Sequence, residues 1–168
     1  CATNPCAARS PGSANPVEIP TLINGTISLP GDVDFYRVEG AGNKPMSFEI
    51  FARRLGSPLD ANLTVFDDNG EMIAYNDDYE NPAAGLTTHH ADARVTVKLP
   101  GNGRCFVSVA DTQNRYGYAH AYRLRIAQAV PGFALRATPA TLNAKPGATA
   151  QLTLHALRID EFTGPIHL

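Results

Sequence analysis

The stretch SPLDANLTVFDDNGEMIAYNDDY, Ser57 to Tyr79, together with Glu80 directly after it, carries seven of the sixteen acidic residues of this 168-residue chain and none of its fourteen Lys or Arg. Carboxylates gathered away from cations have two uses. They can ligate a hard cation such as calcium, which accepts carboxylate, amide and carbonyl oxygens in a flexible shell, or they can serve turns and solvated faces. Asp67, Asp68, Asn69 and Gly70 lie between two strand-like runs, and Asn-Gly tolerates the positive φ of a tight hairpin, so these are expected to be turn residues. An EF-hand is excluded, because placing Gly70 at the sixth loop position would put Val65 at the first ligand position. Asp60 is expected to end a loop by accepting backbone amides. Asp77 and Asp78 begin, and Asp92 ends, a connection of about fifteen residues, longer than a compact domain usually carries without something to order it. Asp77, Asp78 and Asp92 are therefore the candidate calcium ligands, which would pin the two ends of that loop together.

Other chemistry has less support. His89 and His90 are adjacent, so on a strand they would face opposite sides. Their spacing matches neither HExxH nor half of a zinc finger, and a solvated loop is expected. Ser28, Ser47, Ser57 and Ser108 have no His close in sequence and no G-x-S-x-G elbow. No glycine-rich phosphate loop precedes a helix. The chain is thus expected not to be an enzyme. Three cysteines, Cys1, Cys6 and Cys105, cannot all pair within one monomer, and there is no CxxC. Cys105, in the alternating run GRCFVSVAD, reads as a small buried hydrophobe, while a bridge from Cys6 to Cys105 or to Cys1 would fit an exported protein. A leading Cys also fits a processed lipoprotein.

The elements that must position these residues are strands. ARVTVKL sets Val95, Val97 and Leu99 against Thr96 and Lys98, and YRLRI sets Tyr122, Leu124 and Ile126 against Arg123 and Arg125, so each needs a sheet with one wet face. Val95, Val97, Val107, Tyr122, Leu124 and Ile126 are expected in the core, and Thr96, Lys98, Arg123 and Arg125 on the wet face. Less regular runs occur at Leu22 to Leu29, Val33 to Glu39, Met46 to Phe51, Asn62 to Phe66, Glu71 to Tyr75 and Arg104 to Ala110, separated by LPGD, GAGNKP, DDNG, LPGNG and NRYGY. No helical periodicity is sustained. About eight short strands with frequent turn signals predict an all-β, jelly-roll-like antiparallel sandwich. The sequence divides into an N-terminal extension (1–15), a sandwich domain (16–130) and a partial β segment (131–168) too short for a sandwich of its own. A net charge of −2 without basic runs argues against nucleic acid as a partner. No apolar stretch reaches the roughly 20 residues of a spanning helix.

INGTISLPGDVDFYRVEG, SPLDANLTVFDDNGEMIAYNDD, ARVTVKLPGNGRCFVSVAD and GYAHAYRLRI, in that order, resemble the bacterial pre-peptidase C-terminal domain. This is a jelly-roll-like sandwich related to the collagen-binding domains of clostridial collagenases. The resemblance spans Pro16 to Gln128, and the tail from Phe133 looks like the start of an immunoglobulin-like domain. It implies a non-catalytic accessory module of an exported multidomain bacterial protein, secreted, periplasmic or on the cell surface, for adhesion, spacing or presentation of substrate. Its partners would be other domains of the parent chain and an extracellular protein or glycan, with a dimer through the C-terminal segment as a further expectation. The family's calcium site would correspond to Asp32 and Asp34, but upstream, where relatives carry an EPND-like segment, this chain reads CAARSPGSANPV. Asp32 and Asp34 are therefore expected to cap turns or pair with Arg. Of Tyr36, Tyr75, Tyr79, Tyr116, Tyr118 and Tyr122, the pair Tyr116 and Tyr118 is the candidate ligand-binding surface, and a carbohydrate-binding module stacking these rings on sugars is the alternative reading.

Overall fold

The computed structural model describes residues 2–3, 11–40, 42–80, 86 and 91–168. These fall into two units, the first reaching Glu80 and resuming at 91 to end at Ala129, the second comprising Leu86 and Val130–Leu168.

The first unit is a sandwich of two five-stranded sheets. Its strands are β1 (Ala2–Thr3), β2 (Asn15–Val17), β3 (Thr21–Thr26), β4 (Asp34–Glu39), β5 (Pro45–Phe51), β6 (Ala61–Phe66), β7 (Met72–Asn76), β8 (Arg94–Lys98), β9 (Arg104–Asp111) and β10 (Ala121–Gln128). One sheet runs β1-β3-β10-β5-β8 and the other β2-β4-β9-β6-β7. All pairings are antiparallel except β1 with β3 and β2 with β4, which are parallel. The antiparallel expectation is corrected at these two short strands. They lie at sheet edges, and β2 contains Pro16, a residue that an edge strand tolerates because it needs no ladder donor there.

Alternation sets the core. In β10, Tyr122, Leu124 and Ile126 point inward and Arg123 and Arg125 outward, with Leu124 registered on Ile23 to one side and Ile50 to the other. The opposite sheet contributes Tyr36, Val38, Leu63, Val65, Val107 and Val109. Val95 and Val107 are buried and Thr96 and Lys98 exposed, as read from the sequence, while Val97, nearer the end of the edge strand β8, is only partly buried and packs against the core. Cys105 is a free, fully buried thiol that burial, with a smaller push from Asp68, raises to about 12, so it packs as a hydrophobe. Cys1 and Cys6 lie outside the described residues.

Two turns carry the acidic and glycine-rich segments. Asp67 Oδ1 accepts the amides of Asn69 at 2.8 Å and Glu71 at 2.9 Å, and Gly70 takes φ +82°. The Glu71 amide bond is the main reason that the Asp67 carboxyl sits below the usual carboxylate range. Asp67→Ala is expected to lower the melting temperature clearly. Asp68→Ala, whose carboxylate meets the exposed amide of Asn102, should move it much less; equal shifts in thermal melts would contradict the turn assignment. In PGNG, Gly103 has φ +73° and a Cβ there would run into the Gly40 carbonyl, so the turn requires glycine.

The second unit is a two-stranded antiparallel sheet, β11 (Gly132–Thr138) with β12 (Thr153–Ile159). Phe133, Leu135 and Leu154 lie in phase on one face and are exposed, and the Phe133 ring packs against Phe162 with centroids 5.4 Å apart.

Candidate functional site

Three places in the first unit carry chemistry. The first is the outer face of the β3-β10-β5 sheet. Asn24, Arg123 and Phe51 lie side by side across these strands, since Arg123 is registered on both neighbours. Arg123 Nε donates to Asn24 Oδ1 at 3.0 Å. Beside this row the residues become small. The Tyr122 ring fills the space a Gly25 side chain would need, and Ala121 is registered on Thr26. The segment Leu55-Gly56-Ser57 and Ala119 form the opposite wall, tied by Ser57 Oγ donating to the Ala119 carbonyl at 3.1 Å. The result is an open cleft of about 510 Å³.

The second place is the start of β8, where Asp92 is buried at 1 % exposure. Its Oδ1 accepts the amides of Ala52 at 3.2 Å and Arg53 at 2.7 Å; its Oδ2 accepts the Arg54 amide at 3.3 Å and Arg54 Nε at 2.8 Å. It thereby caps the 3-10 turn Arg53–Leu55 from across the sequence. Arg54 also donates to Glu49 at 3.0 Å and to the Ile50 carbonyl at 2.6 Å, and lies 3.9 Å over the Phe51 ring. Asp92 thus engages a cation of the protein's own. Asp77 and Asp78 are exposed beyond the end of β7, where Asp77 accepts the Tyr75 hydroxyl at 3.3 Å and the Asp78 amide at 3.1 Å. Among the described residues no three His, Cys, Asp or Glu side chains gather as a metal-holding group. His89 and His90 lie outside the described residues.

The third place is a buried oxygen chain. The Tyr122 hydroxyl donates to Asp34 Oδ2, and it shares a hydrogen bond of 2.7 Å with the Tyr36 hydroxyl. Asp34 is 1 % exposed, and its Oδ1 has no hydrogen-bond partner among the described residues. Burial pushes its carboxyl up to about 6 against the lowering effect of the Tyr122 bond, with a small further push from Asp32. Burial likewise raises both tyrosines. Asp32 instead accepts the Ser28 amide at 2.9 Å, the expected turn cap. The expectation for Asp34 is corrected: it neither caps a turn nor pairs with Arg, because alternation along β4 puts it in phase with Tyr36 and Val38, facing the core. Two carboxylates, one engaged by Ser28 and one by Tyr122, do not make the calcium donor set that the family resemblance implies.

Asp60 is also corrected. Its carboxylate takes side chains, Thr112 Oγ1 at 2.9 Å, Gln113 Nε2 at 3.1 Å and Arg53 at 3.1 Å. The amide acceptor is Asp111, which receives the amides of Asp60, Gln113 and Arg115. Asp111 ends β9 on an inward phase, so its carboxylate reaches loop amides on both sides. Tyr116 and Tyr118 are exposed at 49 % and 96 % on the β9–β10 connection, whereas Tyr36 and Tyr122 are core residues. The outward phase of the other sheet holds Phe35, Phe66 and Phe106, half-buried, with Phe35 and Phe66 centroids 6.5 Å apart.

Comparison with known proteins gives three findings. No protein-family profile matches the chain. Over 82 residues, 48 % of the chain, it is 33 % identical to a subtilase-type serine protease of Deinococcus radiodurans, and this match spans about a tenth of that protein's length. Among solved structures it is similar to the pre-peptidase C-terminal domain of a collagenase from Bacillus anthracis, with a TM-score of 0.49 and 17 % identity over 71 % of this chain and 99 % of that one. It is also similar to PliG of Aeromonas hydrophila, a periplasmic inhibitor of g-type lysozyme, with a TM-score of 0.43 and 18 % identity over 67 % of this chain and 96 % of that one.

Proposed function

We propose that the chain is a non-catalytic accessory module of an exported bacterial peptidase, which presents protein substrate to a catalytic domain elsewhere in a longer parent. One observation carries this reading: the likeness to a subtilase-type protease falls on a chain whose described residues form strands and two 3-10 turns. Subtilisin-type catalysis is built on an α/β fold, so this part of such a protease is an appendage to the catalytic domain. An appendage acts through its surface, and the cleft beside Arg123 is a recess with polar and apolar walls.

The test joins the chain to a subtilisin-type catalytic domain and compares it with that domain alone. Turnover of an insoluble protein should rise severalfold through a lower apparent KM, while hydrolysis of a soluble chromogenic tetrapeptide stays unchanged. An equal effect on both substrates, or none on either, would overturn the reading. The alternative, carbohydrate binding, is favoured by the nearly complete exposure of Tyr118. Saturable binding on a glycan array that disappears when Tyr116 and Tyr118 are both replaced by Ala would establish it instead.

A further inference from the structure

The geometry points to the cleft on the outer face of β3-β10-β5 as a binding site for a peptide end, an apolar residue bearing a free α-carboxylate. The residues that line it include one cation, Arg123, and no carboxylate. The cation is presented for use: its Nε is held by Asn24, and neither terminal guanidinium nitrogen has a protein hydrogen bond among the described residues. An Arg oriented through Nε, with a free planar edge, matches a carboxylate by two parallel hydrogen bonds. The neighbouring wall is apolar. Phe51 sits next to Arg123 on the adjacent strand, its ring stacked against Arg54, and Leu55 stands 61 % exposed across the recess. Ala121 and Thr26, registered on each other on the outward face, put only small side chains beside the carboxylate.

Charge chooses the occupant. An acidic or neutral lining would suit an ammonium terminus or a sugar, whereas a single unopposed guanidinium beside an aromatic wall suits a chain end whose last residue is apolar. Endopeptidase cleavage creates such ends. This role in handling cleaved protein rests on the accessory-module reading above, but binding of the peptide end rests on the cleft alone.

Calorimetric titration of the purified chain with acetyl-Ala-Ala-Phe, as free acid and as C-terminal amide, tests it. The acid should bind saturably and the amide roughly ten- to a hundredfold more weakly, the usual worth of a hydrogen bond to a charged group. Arg123→Met should remove this preference, and Arg125→Met, on the same face but next to Glu49, should keep it. Equal affinities for acid and amide, or no saturable binding of the acid at millimolar concentration, would overturn the assignment, whatever the behaviour of the variants. If the fused chain still improved turnover of insoluble protein in that event, the module reading would stand and only the cleft assignment would fall.

Discussion

Replacing Asp92 by Ala is expected to cost about 3–5 kcal/mol of folding stability, the usual consequence of removing one member of a buried ion pair. The carboxylate is the acceptor for three consecutive amides, at residues 52 to 54, and for Arg54 Nε. Without it, the amide of buried Ala52 loses its partner, at a cost on the order of 1–3 kcal/mol, while the amides of Arg53 and Arg54 are only partly buried and lose less. Arg54 is itself 24 % exposed in its side chain, so water recovers part of its solvation and the total stays within that range. Asp92→Asn retains an acceptor oxygen for the amides and should lose less. Because Arg54 also lies against Phe51, a wall of the cleft, the Ala variant should disturb that wall as well. Urea unfolding is the measurement; an Ala variant within about 1 kcal/mol of the parent, at unchanged m-value, would show that the network adds little.

Asp34 gives the second large effect, and it depends on pH. Its carboxyl is raised from 3.8 to about 6 in the fold, by burial first, so the folded state holds this proton more tightly than the unfolded chain. The stability it contributes is therefore fully present below pH 3.8 and is lost as pH rises through about 6. A shift of about two pKa units corresponds to roughly 3 kcal/mol. Tyr36 and Tyr122, its hydroxyl neighbours, are raised and stay neutral across this window, and Asp32 is the nearby carboxylate. Other carboxylates, such as Asp67, are shifted down and act in the opposite sense. The comparison that isolates Asp34 is accordingly the parent against Asp34→Asn, whose side chain does not titrate. Between pH 4 and pH 7 the parent should lose about 2.4 kcal/mol relative to the variant. A stability difference that does not change with pH would show that Asp34 ionises normally despite its burial.

Much of the sandwich was legible because alternation is a property of neighbouring residues. YRLRI could bury only one of its two sets, and Leu124 and Ile126 went inward as that pattern required. DDNG formed its hairpin because Asp67 and Gly70 satisfy the turn with their own local bonds and φ, without help from distant residues. The short pairings of β1 and β2 were not legible, since two or three residues carry no period and their partners are set by the edges of finished sheets.

The sites divide in the same way. The sequence placed Asp77 and Asp78 at the start of a connection after a strand and Tyr116 and Tyr118 on an exposed loop, because turn residues and punctuating glycines fix such positions locally. The phase of Asp34 was also present in DVDFYRVE, where Asp34, Tyr36 and Val38 alternate with Phe35 and Arg37. Only the tertiary structure decided what those residues meet. Asp92 finds Arg54, 38 positions away, and Asp34 finds Tyr122, 88 positions away. Arg123 becomes one wall of a cleft because β3, β10 and β5 pair in that order. Such partners are fixed by sheet order and register, which arise from the packing of the whole core, and a carboxylate takes its role from the donor that this packing delivers to it.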